Sequence, residues 1–456
     1  MKRLLCCLLL IALALSCAGC RLERLKDVEL PPLPQATESS TSGMMTIPTA
    51  NPLATPAPTV PPLVTPLPTA APEPVPTVSV PSVQEPLGRE GQVFVNCRST
   101  SEDFYDPENG TVRILVFSYD TPFVTITGRA QATAAIAEQL AALDESFYSG
   151  GGEEDFPGVS GMLEMAEDNY AYVRQTGQTD MPLEYSMSRR VRTARADARV
   201  VSMVFSFAEY SGSRQSPYGQ TGCVFDAETG ERLTLADLSA DQEAFLDRVL
   251  YCMVSLTETD PSLYEKVYVS YMHGDFYGTL SRLLREGSWY FDEEGLVVFS
   301  KLDELGPYNA GIAEFHIHYS RLEGYLDEKW LPAPREQSGS LTVSRMDGSE
   351  EGRLNFVDKV QTDEVGRELC LAADGTVYAV ELVKVLLTDH VTEEGQLWYG
   401  SELSDAAIQL VTDIPDGMPN LLLRYTDASG MSYRKLLTES GEDGHLILLD
   451  ESELFW

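Results

Sequence analysis

In Val201-Ser202-Met203-Val204-Phe205-Ser206-Phe207 the side chains of Val201, Met203, Phe205 and Phe207 alternate with Ser202, Val204 and Ser206. Successive side chains of a strand point to opposite faces, so the period predicts a β-strand with Val201, Met203, Phe205 and Phe207 on its buried face. The same alternation appears at Glu314-Phe315-His316-Ile317-His318, where Phe315 and Ile317 would enter a core. Trp289-Tyr290-Phe291 and Leu296-Val297-Val298-Phe299 flank Asp292-Glu293-Glu294-Gly295, the pattern of a hairpin with a Gly-containing loop. Val112 to Ile126 is rich in Val, Ile, Phe, Tyr and Thr and reads as another strand.

Helical spacing lies between these strands. Ile136, Leu140, Leu143 and Phe147 recur at 4, 3 and 4, which predicts an amphipathic helix over 129–147. A second helix is expected over Ser160–Val173, with Met162, Met165, Tyr170 and Val173 inward. Ser239-Ala240-Asp241-Gln242 has a capping-box pattern and would open a helix carrying Phe245, Leu246, Val249, Leu250 and Met253 on one side. A further helix is expected within Pro261–Arg285. From residue 338 onward short apolar runs alternate with turn signals such as Asp374-Gly375 and Asp416-Gly417, the spacing of a mostly β sandwich or barrel. The class expected is α+β.

The amino-terminal end has a different character. Lys2 and Arg3 precede the apolar run Leu4–Leu15, which has signal-peptide length. It ends in Leu15-Ser16-Cys17-Ala18-Gly19-Cys20, and Ala18-Gly19-Cys20 resembles the lipobox of bacterial lipoproteins. That resemblance implies cleavage before Cys20 and a fatty-acylated cysteine, with Cys17 as the poorer alternative. Arg21, Arg24 and Lys26 would add contacts to anionic headgroups, the second signal that stable anchoring needs. Residues 31–86 hold 16 of the 27 prolines. Proline removes backbone donors and fixes φ, so this stretch is expected to be an extended spacer with a reach above about 100 Å. The organisation expected is a signal peptide over 1–19, a lipidated stalk over 20–90, and three folded parts over 91–195, 196–333 and 334–456.

Three features of the folded part coincide. One is the strand Val201–Tyr210 with a Ser/Gly loop after it. The second is Val224-Phe225-Asp226 through Thr229-Gly230-Glu231, followed by Leu233-Thr234-Leu235-Ala236-Asp237-Leu238. The third is Trp289–Phe299 followed by Pro307-Tyr308-Asn309-Ala310-Gly311-Ile312-Ala313-Glu314-Phe315. Together, over residues 110–330, they resemble the extracytoplasmic module of RsiV-type anti-sigma factors, which also precedes the catalytic domain of PdaC-type peptidoglycan deacetylases. The resemblance implies an RsiV/PdaC-like mixed α/β module, with a PdaC amino-terminal-like part over 91–195 and an RsiV-type part over 196–333. It also implies function by binding, with a lysozyme-like protein or a wall polymer as partner. The chain carries a lipobox in place of a transmembrane helix and lacks the Asp/His metal pattern of a deacetylase. The loop Tyr210–Gly219 replaces the family's Gly-Gly-Ala-His, so the family's ligand does not carry over. The expected protein is lipid-anchored on the outer face of a cell membrane, non-catalytic, and built to bind or sense. Tyr210, Arg214 and Tyr218 in that loop are its candidate contact residues.

Charge narrows the partners. With 33 Lys and Arg against 70 Asp and Glu, the net charge is −37, which argues against nucleic acid and favours cationic partners through steering. No motif for a cofactor is present, and none is expected. Gly150–Asp155 is Gly-rich but carries Glu153, Glu154 and Asp155, which would repel phosphate. Ser432-Tyr433-Arg434-Lys435 matches SxxK, but in a strand-like run its Ser and Lys face oppositely. Glu314, His316 and His318, spaced by two, would share one strand face. They form a possible zinc set for a wall hydrolase, the alternative to binding, and a solvated strand face is the simpler explanation. A third possibility is an envelope assembly protein. Cys97, Cys223, Cys252 and Cys370 are scattered and read as buried thiols, with a Cys223–Cys252 bridge as the alternative.

Overall fold

Thirteen residues after the proline-rich stretch decide how the rest is assembled. Val93–Tyr105 (β1) pairs antiparallel along its length with Arg113–Ile126 (β2), through a register running from Val93↔Ile126 to Tyr105↔Arg113. Its first residues also pair on the other side with Val391–Ser404 (β13), at Phe94↔Gly400, Val95↔Tyr399 and Asn96↔Trp398. The computed structural model describes residues 89–450 apart from 150–157, 178–183, 213–216, 274–275, 287–288, 337, 347, 349–352, 363–365, 388–390, 415–417 and 440–444. All described residues belong to one unit, Pro81–Trp456. The lipobox with Cys20, the proline-rich stretch and Arg214 lie outside the described residues.

The fold is α+β. After β2 the chain forms two helices, Ala130–Ser149 (α1) and Gly158–Thr176 (α2), and returns as Tyr185–Ala196 (β3), parallel to β2. A parallel pair needs a crossover, and the two helices supply it. Val200–Tyr210 (β4) and Tyr218–Asp226 (β5) then extend the sheet antiparallel. Gln242–Thr259 (α3), Pro261–His273 (α4) and Phe276–Glu286 (α5) follow. A separate three-stranded sheet is built from Trp289–Phe291 (β6), Gly295–Phe299 (β7) and Glu314–His318 (β8).

Residues 340–450 add Ser340–Arg345 (β9), Phe356–Gln361 (β10), Arg367–Asp374 (β11), Thr376–Leu387 (β12), β13, Ala407–Thr412 (β14), Leu421–Thr426 (β15), Ser432–Glu439 (β16) and Leu446–Asp450 (β17). Five of these nine strands join a ten-stranded sheet of order β17-β16-β15-β12-β13-β1-β2-β3-β4-β5, and the other four form a sheet of order β10-β14-β11-β9. The carboxy-terminal part is therefore a two-layer β structure, one layer of which is continuous with the amino-terminal strands. The sheet runs through both boundaries expected at 195/196 and 333/334.

Several local expectations differ from the structure for identifiable reasons. Val204 was placed with the serines on an outer face, yet Val200, Val204 and Val224 are buried against α3, α5 and β6–β8, while Val201, Met203 and Phe205 pack with Ile136 and Leu140 of α1. Both faces of β4 are covered over Val200–Phe205, and Ser202 survives inside because its hydroxyl meets Phe291 N and O at 3.0 and 2.8 Å. On α2 the buried stripe is Met162, Ala166 and Tyr170, a four-residue period that leaves Met165 exposed. The amino-terminal cap of α3 is Asp241, whose carboxylate accepts from Ala244 N at 3.2 Å, two residues beyond the expected Ser239. The helix expected within 261–285 is two helices. The four cysteines of the folded part are buried, and no disulfide joins Cys223 to Cys252.

Asp358 on β10 fastens the smaller sheet to the larger one. Its Oδ2 accepts from Asn96 Nδ2 at 2.9 Å and from the fully buried Trp398 indole at 2.8 Å. Gly400 is required beside it, because a Cβ there would lie 2.5 Å from the Trp398 ring. Asp358→Ala leaves a buried indole N–H without an acceptor and should cost about 1–3 kcal/mol. Urea unfolding should show the loss, and Asp358→Asn, which keeps one acceptor oxygen, should recover part of it. An unchanged midpoint for Asp358→Ala would remove this residue from the account.

Candidate functional site

The exposed side of β3, β4 and β5 is polar by pattern. Ser188 and Arg190, then Ser206, then Gln220 come from neighbouring strands at a spacing of two, and they floor a cleft of about 590 Å³. Lys266 of α4 and the turn Asn309–Ile312 form its wall, with Glu314 at the start of β8. Arg190 is held from below by Asp120, a fully buried carboxylate that also accepts from Ser99 Oγ and Val191 N. Lys266 Nζ donates to Ile312 O at 3.0 Å, which ties α4 to the turn. Gln220 Nε2 donates to Glu314 Oε1 at 2.7 Å, which ties β5 to β8.

Tyr218 forms the aromatic rim. It meets Tyr308 edge-on at 6.1 Å between ring centroids. Its hydroxyl sits over Gly311, where φ is +76° and an added Cβ would lie 2.8 Å from the phenol oxygen. The turn thus needs glycine twice, for its left-handed backbone and for the approach of the tyrosine.

Beyond Glu314 the strand face continues with His316. Its Nδ1 lies 3.3 Å from Asp292 Oδ2 and its Nε2 3.4 Å from Glu314 Oε2. Asp292 and then Glu314 raise the imidazole to about 9. Burial raises the Asp292 carboxyl, but His316 and the Glu294 and Gly295 N–H groups bring it below its ordinary value. The His316 contact lowers Glu314 in the same way. His318, on the same face, makes a different contact, with Nδ1 2.8 Å from Ser320 Oγ.

The sequence-derived candidates therefore separate. Tyr218 and Glu314 come together in the cleft. Tyr210 is exposed at the end of β4 and is not part of the lining. Arg214 lies outside the described residues. Glu314, His316 and His318 do share the outer face of β8, with Phe315 and Ile317 buried beneath them. Both His316 nitrogens, however, are taken by carboxylates, and His318 turns to a serine. Among the described residues no group of three or more His, Cys, Asp or Glu is arranged to hold a metal ion. Ser188, Arg190 and Lys266 were not anticipated. The signal was the alternation Ser188, Arg190, Arg192 on β3, which marks a polar strand face.

A family model described as a protein of unknown function (DUF3298) matches residues 273–320, the segment from the end of α4 through β8 and into the following turn. No curated protein matches the chain. Among solved structures, a member of the DUF3298 family from Bacteroides fragilis is 15% identical, with 53% of this chain and 96% of that one covered and a TM-score of 0.39. A DUF3298 family protein from Pseudomonas aeruginosa is 14% identical, with 52% and 97% covered and a TM-score of 0.33. No helix among the described residues is long and apolar enough to cross a membrane.

The His316 pair has a definite pH signature. Its folded value lies above the ordinary 6.5, so its stabilisation is fully present below pH 6.5 and is lost as pH rises through about 9. The ring is more than half exposed, so solvent screening keeps the effect small. Thermal melts of His316→Gln and the natural protein should differ below pH 6.5 and converge above 9. A constant offset across that window would contradict the ion-pair assignment.

Proposed function

We propose that the protein is a non-catalytic binding protein of the cell envelope, held to the outer face of the membrane by a lipid on Cys20. In this reading the residues 273–320 matched by the family of unknown function help to build an RsiV-like binding module. The observation that carries it is the composition of the cleft. Hydroxyl and amide side chains (Ser188, Ser206, Gln220) line a polar strand face, Asn309 faces them from the turn, and the Tyr218 ring stands at the edge. A sugar offers the complementary surface, hydroxyls around the ring edge and a C–H face for stacking on an aromatic. The ligand is thus a neutral polar polymer of the wall-glycan type.

A cationic protein is the other partner suggested by the net charge of −37. The cleft does not follow the overall charge, because its charged side chains are Arg190 and Lys266 against Glu314. Nothing there would recruit a cation, so the glycan reading is preferred. The hydrolase alternative gains nothing from His316, whose nitrogens already face two carboxylates.

Full-length protein should be retained by insoluble wall polymer and should bind its soluble glycan fragments in calorimetry. Tyr218→Ala should weaken binding at least about tenfold, equivalent to about 1.4 kcal/mol, and Gly311→Val should do the same by displacing the tyrosine. Retention that ignores both substitutions would sink the assignment of the cleft. In cells, Cys20→Ser should move the protein from the membrane fraction to the soluble fraction.

A further inference from the structure

The turn between β1 and β2 carries a chemistry that neither the cleft nor the packing uses. Asp106-Pro107-Glu108-Asn109-Gly110-Thr111-Val112 joins the two strands, and Asn109-Gly110 is the single Asn-Gly pair in the sequence. Both residues are exposed. The fold does not demand a glycine at 110. An added Cβ would meet no atom within 4 Å, and φ lies outside the left-handed region, in contrast to Gly311. What glycine leaves there is an amide nitrogen with no side chain to shield it. Among the described residues nothing accepts from that N–H.

The neighbouring bonds bring the Asn109 carboxamide toward it. Thr111 Oγ1 donates to Asn109 Oδ1 at 2.8 Å, so the side chain folds forward over the intervening Gly110. The same bond polarises the side-chain carbonyl, as any donor aimed at a developing oxyanion does. Two further bonds close the turn: Asn109 N donates to Asp106 Oδ2 at 2.6 Å, and Val112 N donates to Asn109 O at 3.0 Å. Nearness and orientation are what an intramolecular attack needs.

We propose that Asn109-Gly110 is a self-modification site, at which the Gly110 nitrogen attacks Asn109 Cγ and the asparagine becomes aspartate and isoaspartate. In the first step the N–Cγ bond forms and the Cγ–Nδ2 bond breaks. The Gly110 proton leaves with Nδ2 as ammonia. The five-membered imide left behind takes up water at either carbonyl. Opening at Cγ gives aspartate, and opening at the main-chain carbon gives isoaspartate, whose backbone runs through the side chain. One water enters and one ammonia leaves, with no oxidation or reduction. The product sets a third carboxylate beside Glu108 and Asp106, which share Arg174 Nη1 at 2.6 and 3.3 Å. Isoaspartate also turns the carbonyl that accepts from Val112 N into a free carboxylate. The turn thus gains charge with time, where the hairpin meets α2.

The test is peptide mass spectrometry on full-length protein incubated at mildly alkaline pH and physiological temperature, with enzymatic methylation of isoaspartate as a second readout. Asn109 should gain about one mass unit and accept methyl groups. Asn96, Asn309, Asn355 and Asn420, each followed by a residue with a side chain, should keep their amides. The rate should rise with pH, because the attacking amide must lose its proton. Gly110→Ala should slow the change at least about tenfold by shielding the nitrogen and narrowing the backbone freedom of the turn, with an unchanged thermal midpoint. Thr111→Val, which removes the donor to Oδ1, should slow it at least about threefold. An Asn109 that keeps its amide as long as the other asparagines, or an unaltered rate in either variant, would overturn the proposal.

Discussion

Antiparallel pairing on both edges of β1 is the constraint from which the remaining architecture follows. Residues 93–96 bond to β2 on one side and to β13, some three hundred residues later, on the other. A strand with both edges occupied must be present before either half of the ten-stranded sheet can be complete. The connection is reinforced by side chains. Gln92 donates to Glu402 O, Val93 N donates to Ser401 Oγ at 3.1 Å, and Asn96 reaches Asp358 on the second sheet. The carboxy-terminal β part is therefore not appended to the rest of the fold. It completes a sheet whose other half presents the polar cleft.

The shared strand also explains which features of the fold were legible in sequence. Strands whose two faces differ, such as β8, declare themselves by alternation, and the hairpin β6–β7 is announced by its aromatic and aliphatic runs. The strands that join the halves do not. β1 is Val-Phe-Val-Asn-Cys-Arg-Ser-Thr-Ser-Glu-Asp-Phe-Tyr, apolar only at its ends, and β13 contains Glu393, Glu394, Gly395 and Gly400. Each is specified by what it must avoid as much as by what it buries, as at Gly400, which yields space to Trp398. Such requirements come from partners distant in sequence, and local periodicity carries no trace of them. β3 is hidden for a related reason, since Arg189, Arg190, Arg192 and Arg195 read as surface while Arg189 and Arg195 are buried.

Those arginines account for the gap between overall charge and local chemistry. Arg195 is fully buried and paired with Asp197, with further bonds to Tyr319 Oη and Trp330 O. Arg424 serves Glu381, Arg189 serves Asp144, and Arg190 serves Asp120. Desolvating a carboxylate costs several kcal/mol unless a cation accompanies it, so these arginines are held by the acids that the fold buries or half-buries. The candidate site was legible to the same partial degree. Tyr218 and Glu314 stood out as an aromatic and a carboxylate near a variable loop and a strand face. The floor between them depends on the side-by-side placement of β3, β4 and β5.

The cleft and the junction at the entry to β1 differ because of where such paired arginines lie. In the cleft, Asp120 of the neighbouring strand β2 pairs with Arg190, so the guanidinium stays partly exposed while its counter-charge is buried. At the junction, Arg335 and Arg89 are drawn onto Glu293 and Glu402. One rule, that buried or half-buried charges must be paired, thus gives each region a local charge that differs from that of the whole chain. Counting charged residues along the sequence could not have separated them.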